Sequence, residues 1–210
     1  MEIMYTNKSS ELIKKNTITG IYGDKIDLIK HGLEFDGIEY DDEWTVKRFL
    51  NGYKLKIDNR IVDIISELEI SYSLLKRKIK TLSKCQFKLI LLVYVVLNKK
   101  NIIVLDYFVK GLSFKYKKRI IYFLKTKYNG TIIVISNDLV FLDLLCSYLI
   151  VFENGSIVFN DELKNIYRSR VKIEYPEIIK FISLDNKSNA KLSYTVDNKE
   201  FLKDIYRSVR

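Results

Sequence analysis

The sequence predicts an α/β layered fold on a mostly parallel sheet, and three observations predict it. Ile102 to Asp106 and Thr131 to Ser136 are short apolar runs without alternation, the pattern of strands covered on both faces. Between and around them, apolar residues recur at three- and four-residue spacing, the period of helices packed on one side. Strand and helix signals alternate with few interruptions, the order expected of a layered α/β domain.

Taken in chain order, Thr17 to Tyr22 reads as a short buried strand ending at Gly23, and Asp24 to His31 as one or two helical turns. Glu34 to Tyr40 reads as part of a hairpin, with Asp36-Gly37 as its turn. From Thr45 to Lys80 the pattern is helical, with Val46, Phe49 and Leu50, then Ile61, Ile64, Ile65 and Leu68, on apolar faces. Ser83 is placed to cap a helix reaching about Asn98, and its middle, Leu89 to Leu97, is apolar all round, as in a buried helix. After the Ile102 strand, Lys115 to Lys127 reads as an amphipathic helix with Ile120, Ile121 and Leu124 inward, ended by Gly130. The Thr131 strand and a helix over Leu139 to Cys146 follow. Tyr148 to Phe152 and Ser156 to Phe159 then form a hairpin around Asn154-Gly155. The tail beyond Pro176 reads as mostly polar helix.

Composition narrows the function classes. Hydrophobic residues make up 48% of the 210-residue chain, enough for a real core, and the chain is globular rather than disordered. With 8 Gly and 1 Pro, it is neither a linker-joined array nor a loop-rich all-β protein. Cys85 and Cys146 lie far apart without metal-ligand spacing, which points to a reducing compartment. Met1 to Lys15 has no apolar signal-peptide core, and Leu89 to Leu97 is about half the roughly 20 residues of a spanning helix. The net charge of +10 is compatible with nucleic acid, with an anionic membrane surface, or with a base-biased coding sequence, because the lysines are dispersed.

The chemistry-bearing segments are Gly20-Ile21-Tyr22-Gly23-Asp24-Lys25, Thr81-Leu82-Ser83-Lys84-Cys85-Gln86, Ile102-Ile103-Val104-Leu105-Asp106 and Ile132-Ile133-Val134-Ile135-Ser136-Asn137-Asp138. In this order the last three resemble the signature, Walker B and switch segments of ATP-binding cassette (ABC) ATPases. Twenty residues separate Gln86 from Asp106, the spacing of that family's signature glutamine and Walker B aspartate, and Gly111-Leu112 sits where its D-loop Gly-Leu sits. The tail, from Pro176-Glu177-Ile178-Ile179-Lys180-Phe181 through Lys191-Leu192-Ser193-Tyr194 to Ile205-Tyr206-Arg207, is similar to the C-terminal region of energy-coupling-factor ATPases, the cassette subunits of vitamin and metal importers. The resemblance implies a P-loop NTPase-like parallel sheet flanked by helices, with a reduced antiparallel part. Residues 1–165 would form the ATPase-like domain, with a helical subdomain at about 45–98, and 166–210 a C-terminal helical extension.

The resemblance also implies Mg-ATP as cofactor, yet the residues that handle it are replaced. A phosphate loop needs several glycines, a Lys on the β/γ-phosphates and a hydroxyl on Mg²⁺. Here Gly20 and Gly23 run straight into Asp24-Lys25-Ile26, about four loop residues short if Lys25 is the phosphate lysine. The two glycines after the signature serine are Lys84 and Cys85, so Ser83 is either a remnant anion site or simply a helix cap. Asp106 can hold Mg²⁺ through water or serve as a strand-end residue. Tyr107 stands where the family has its glutamate base, and a phenol near pKa 10 is a poor base at neutral pH. Phe108 and Val109 replace small turn residues, which predicts a packed loop. Ser113 replaces the D-loop aspartate. Asn137 replaces the switch histidine, and the sole His31 lies elsewhere; the sole glutamine is Gln86, leaving no Q-loop glutamine.

The resulting expectation is a degenerate cassette protein with no turnover of its own. It would partner an intact cassette ATPase paralogue and a transmembrane transport subunit, in the cytoplasm or peripherally on the inner face of the plasma membrane. Three alternatives stay open: a weak ATPase in a composite site, a decaying gene product, and a nucleic-acid-binding or scaffolding protein. The last would use Phe114-Lys115-Tyr116-Lys117-Lys118-Arg119, which otherwise reads as one solvated helix face.

Overall fold

The computed structural model describes residues 13–23, 38–52, 56–98, 102–186 and 192–208. The helical turns expected over Asp24 to His31, with Lys25, and the turn expected at Asp36-Gly37 lie outside the described residues.

Five strands form one sheet: β1 (Ile18–Gly23), β2 (Ile102–Asp106), β3 (Thr131–Ile135), β4 (Tyr148–Glu153) and β5 (Ser156–Glu162), in the order β2-β3-β1-β4-β5. The first four are parallel, and only β5 runs antiparallel, against β4. β1 is central, with Gly20 opposite Val134 on one side and Leu149 on the other. The unbroken apolar runs have the burial that a two-face cover requires: Ile103, Val104 and Leu105, and Ile132, Ile133 and Val134, are all buried. β5 has no buried residue, so among the described residues the antiparallel part of the sheet is one exposed edge strand.

Helices cover the faces. α1 (Val46–Asn51), α2 (Asn59–Glu67) and α3 (Lys84–Leu97) pack together, with Phe49 stacked on Tyr94 at 4.7 Å between ring centres. α3 is capped by Ser83 and Asn98, and it buries Leu89 to Val93 on every side, as its composition requires. α4 (Phe114–Thr126) and α5 (Leu139–Leu145) follow β2 and β3 as crossovers. α4 stops at Thr126, four residues before Gly130. That glycine makes room for Tyr128, whose ring would lie 2.6 Å from a Cβ at position 130.

The tail is helical, in two pieces, and the first is less polar than its sequence suggests. α6 (Glu177–Asp185) buries Ile179 and Ile182 in the same core as the sheet, and Tyr194 stacks on Tyr167 at 5.8 Å. α7 (Asn198–Ser208) has no fully buried residue, and Phe201 and Ile205 pack half-buried against the core. Among the described residues, no helix is long and apolar enough to cross a membrane.

Candidate functional site

Parallel strands bring their carboxyl ends to one edge, where open α/β sheets place their ligands. Gly23, Asp106 and Ile135 end β1, β2 and β3 there, and the segments that follow them meet. Tyr107 continues the β2–β3 ladder by donating its N–H to Ile135 O at 3.0 Å, then turns the chain with a φ of 43°. Its phenol lies 3.3 Å from Gly23 O and 3.4 Å from Asn137 Oδ1, positioned to donate to either. The Gly23 N–H donates to the same Asn137 oxygen at 3.4 Å. Three of the candidate residues, Gly23, Tyr107 and Asn137, thus form one cluster, and their polar groups bond to one another.

The backbone around this cluster is tightly set. Gly23 has a φ of +116°, and a Cβ there would meet Phe152 O at 2.2 Å. Only glycine fits, and the cause is the neighbouring strand β4. Asn137 is held by its neighbours: the Ser136 N–H donates to Ile21 O at 3.0 Å, and the Ser136 hydroxyl accepts from the Asp138 N–H at 3.0 Å. Asp138 caps α5 through Phe141 N and pairs with Lys117 at 2.5 Å. Gly20 sits mid-strand, three residues back from the cluster, where a Cβ would come within 3.1 Å of Leu142 and 3.2 Å of the Cys146 sulfur.

Ser83 and Gln86 sit in a second place, the first turn of α3. The Ser83 hydroxyl accepts from the Gln86 N–H at 3.2 Å, and Gln86 Oε1 accepts from the Ser83 N–H at 3.0 Å. This reciprocal capping box uses one acceptor on each side chain within the helix. The same turn is tied to the loop after Asp106. Lys88 Nζ donates to Phe108 O and Lys110 O, both at 2.8 Å, and the Cys85 thiol donates to Gly111 O at 3.4 Å. Burial at this contact lowers the Lys88 ammonium below its ordinary pKa; Cys85 opposes the shift and Lys110 adds to it. Phe108, Val109 and Leu112 are buried, the packed loop that large residues there predicted. Sequence reasoning missed Lys88, although a lone cation opening an apolar run was a usable signal.

Asp106 carries the one feature that favours a ligand. Its Oδ1 is buried and makes no hydrogen bond among the described residues. A hard cation needs several oxygens around it, and among the described residues no group of three His, Cys, Asp or Glu side chains stands together. For Mg-ATP the described donor set does not fit: one orphan carboxylate oxygen is present, while the side chains of Tyr107, Asn137, Ser83 and Gln86 bond within the protein.

No family model matches the chain, and no curated protein sequence matches it. Among solved structures, it is similar to the dimeric structure of MJ0796, a bacterial ABC transporter cassette, with a TM-score of 0.56 and 14% identity. The match covers 72% of this chain and 87% of that one. At that identity the likeness concerns the fold: the chain has the α/β fold of an ABC cassette.

Proposed function

We propose that this protein is a degenerate ABC-type cassette, a non-hydrolysing structural or regulatory partner of an active cassette subunit in a membrane transporter. The observation that carries the reading is the closed cluster at the sheet edge, where Tyr107, Gly23 and Asn137 bond to one another. Phosphoryl transfer needs preorganised groups aimed at the developing charge. Here a phenol replaces the carboxylate base, an amide replaces the titratable imidazole, and the signature serine and glutamine are used as a helix cap.

The fold supports a partner role, because a cassette scaffold with a full core can occupy a subunit's place without its chemistry. Residues 1–165 are the ATPase-like domain in this reading, and 166–210 an energy-coupling-factor type extension. The protein then sits in the cytoplasm, peripherally on the inner membrane face, beside an intact cassette paralogue and a transmembrane subunit. Gentle solubilisation of native membranes, capture of the tagged chain and mass spectrometry test this. Recovery of an intact cassette ATPase with a transmembrane subunit supports it. Recovery of the chain alone, or with nucleic acid only, overturns it.

The orphan Asp106 Oδ1 favours a second reading, a composite site that still takes Mg-ATP with Lys25, Ser83, Asp106 and Asn137 as contacts. Ligand binding to the folded state raises its melting temperature. Stabilisation by Mg-ATP that disappears in Asp106→Asn would establish this reading; no shift at millimolar nucleotide excludes it.

A further inference from the structure

We propose that the outward face of α4 is a docking strip for single-stranded nucleic acid, a property independent of the cassette reading. Residues 114, 115, 118, 122 and 125 fall on one side of this helix, and all five are exposed. They are Phe114, Lys115, Lys118, Tyr122 and Lys125, a face of cations and rings with no acidic member. The two rings are large and uncovered, Phe114 at 59% and Tyr122 at 56% of full exposure. They stand eight residues, about 12 Å, apart along the axis.

The structure separates this face from the other cations of the same helix. Lys117 is paired with Asp138 at 2.5 Å and Arg119 with Glu69, while Lys127, just past the helix end, pairs with Glu67 at 2.7 Å. Lys115, Lys118 and Lys125 make no ion pair among the described residues. Lys118 Nζ instead lies 4.6 Å from the Phe114 ring centre. Cations that track a backbone, interleaved with rings on which bases stack, are the two components of sequence-tolerant single-strand binding.

A groove of about 450 Å³ opens beside Tyr122, walled by Ser66, Glu67, Glu69, Lys118 and Arg119. It distinguishes a strand from an anionic bilayer. Glu69 and Glu67 on that wall are held by Arg119 and Lys127, and the feature that discriminates is shape: a recess beside a ring takes a single base, whereas a flat bilayer surface does not enter it. A single strand can set its phosphates at the lysines and turn a base into the recess beside Tyr122.

The test is a fluorescence-anisotropy titration of labelled oligothymidylate and oligouridylate, about 20 nucleotides long, with the full chain across a salt series. Three phosphate contacts on a single strand predict a slope of log K against log salt near −2, from about −0.7 per contact. Lys115→Gln/Lys118→Gln/Lys125→Gln is expected to weaken binding at least 10-fold. The remote triple Lys172→Gln/Lys199→Gln/Lys203→Gln, with the same net charge, should weaken it less than 3-fold. Phe114→Ala/Tyr122→Ala, which leaves the charge unchanged, should also lose at least 10-fold. Circular dichroism checks that each variant is folded. Equal loss in the strip and remote triples, no loss in the ring variant, or binding to phosphatidylglycerol vesicles but not to the oligonucleotides overturns the proposal.

Discussion

Replacing Ser83 with alanine separates a helix cap from a phosphate contact. The Ser83 hydroxyl accepts the Gln86 N–H at 3.2 Å, and Gln86 Oε1 answers on the Ser83 N–H at 3.0 Å. Removing a serine cap costs about 1 kcal/mol, and glycine at the same position costs only a few tenths. In a chain of this length, about 1 kcal/mol lowers the melting temperature by about 2–4 °C. Ser83→Ala should therefore melt about 2–4 °C low in the absence of nucleotide, and Ser83→Gly should lie between it and the wild type. Gln86→Ala should cost less, about 0.5 kcal/mol, because the Ser83 N–H it abandons is near solvent. The double variant should lose less than the sum of the two, since both bonds close one ring. Differential scanning calorimetry without ligand reads the four variants beside the wild type. A Ser83→Ala protein that melts with the wild type, or a glycine variant less stable than the alanine one, would refute the cap.

Three other substitutions probe the framework of the site and a surface ion pair away from it. Gly23→Ala forces a Cβ to 2.2 Å from Phe152 O at a φ of +116°; strain and overpacking together should cost about 3 kcal/mol or more in a urea unfolding curve. Lys88→Met keeps the apolar stem but abandons the carbonyls of Phe108 and Lys110; a loss of about 2 kcal/mol and faster proteolysis of the 108–111 loop are expected, and unchanged proteolysis would contradict the tie. Glu43 is held down from 4.5 to about 2 by hydrogen bonds first from Lys78 and then from Lys80. A depressed carboxylate stabilises the fold above its unfolded pKa and loses that contribution as pH falls through the folded value. The gap in melting temperature between wild type and Glu43→Gln should thus be open at pH 6 and close between about pH 4.5 and 2.

The sheet was legible because burial on two faces leaves continuous apolar runs, and four of its five strands begin or end within a residue or two of where those runs do. The α3 start was legible for a local reason: Ser83 and Gln86 have the spacing of a capping box, and the structure contains one. The tail is less legible. Its charged residues suggested a polar helix, but Ile179 and Ile182, three apart on α6, are enough to anchor that helix to the core. In the sequence Gly130 reads as a helix stop because glycine so often is one, whereas its contact with Tyr128 depends on a ring rotamer that sequence does not carry. At the site, a parallel sheet is enough to bring Gly23, Tyr107 and Asn137 to one edge, but their meeting depends on β3 lying between β1 and β2, an order the sequence pattern does not carry. That their polar groups bond to one another did not follow, because it depends on the positive φ of Tyr107 and on distances of a few tenths of an ångström. The Lys88 tie was hidden for the same reason: a cation in an apolar run signals a partner without naming it.

The central claim is that the cassette fold persists here without its chemistry. Its most direct test is release of inorganic phosphate from saturating Mg-ATP by the purified chain, beside Asp106→Asn and a buffer control. The account predicts that all three rates coincide. A metal-dependent rate in the wild type that Asp106→Asn abolishes would contradict it.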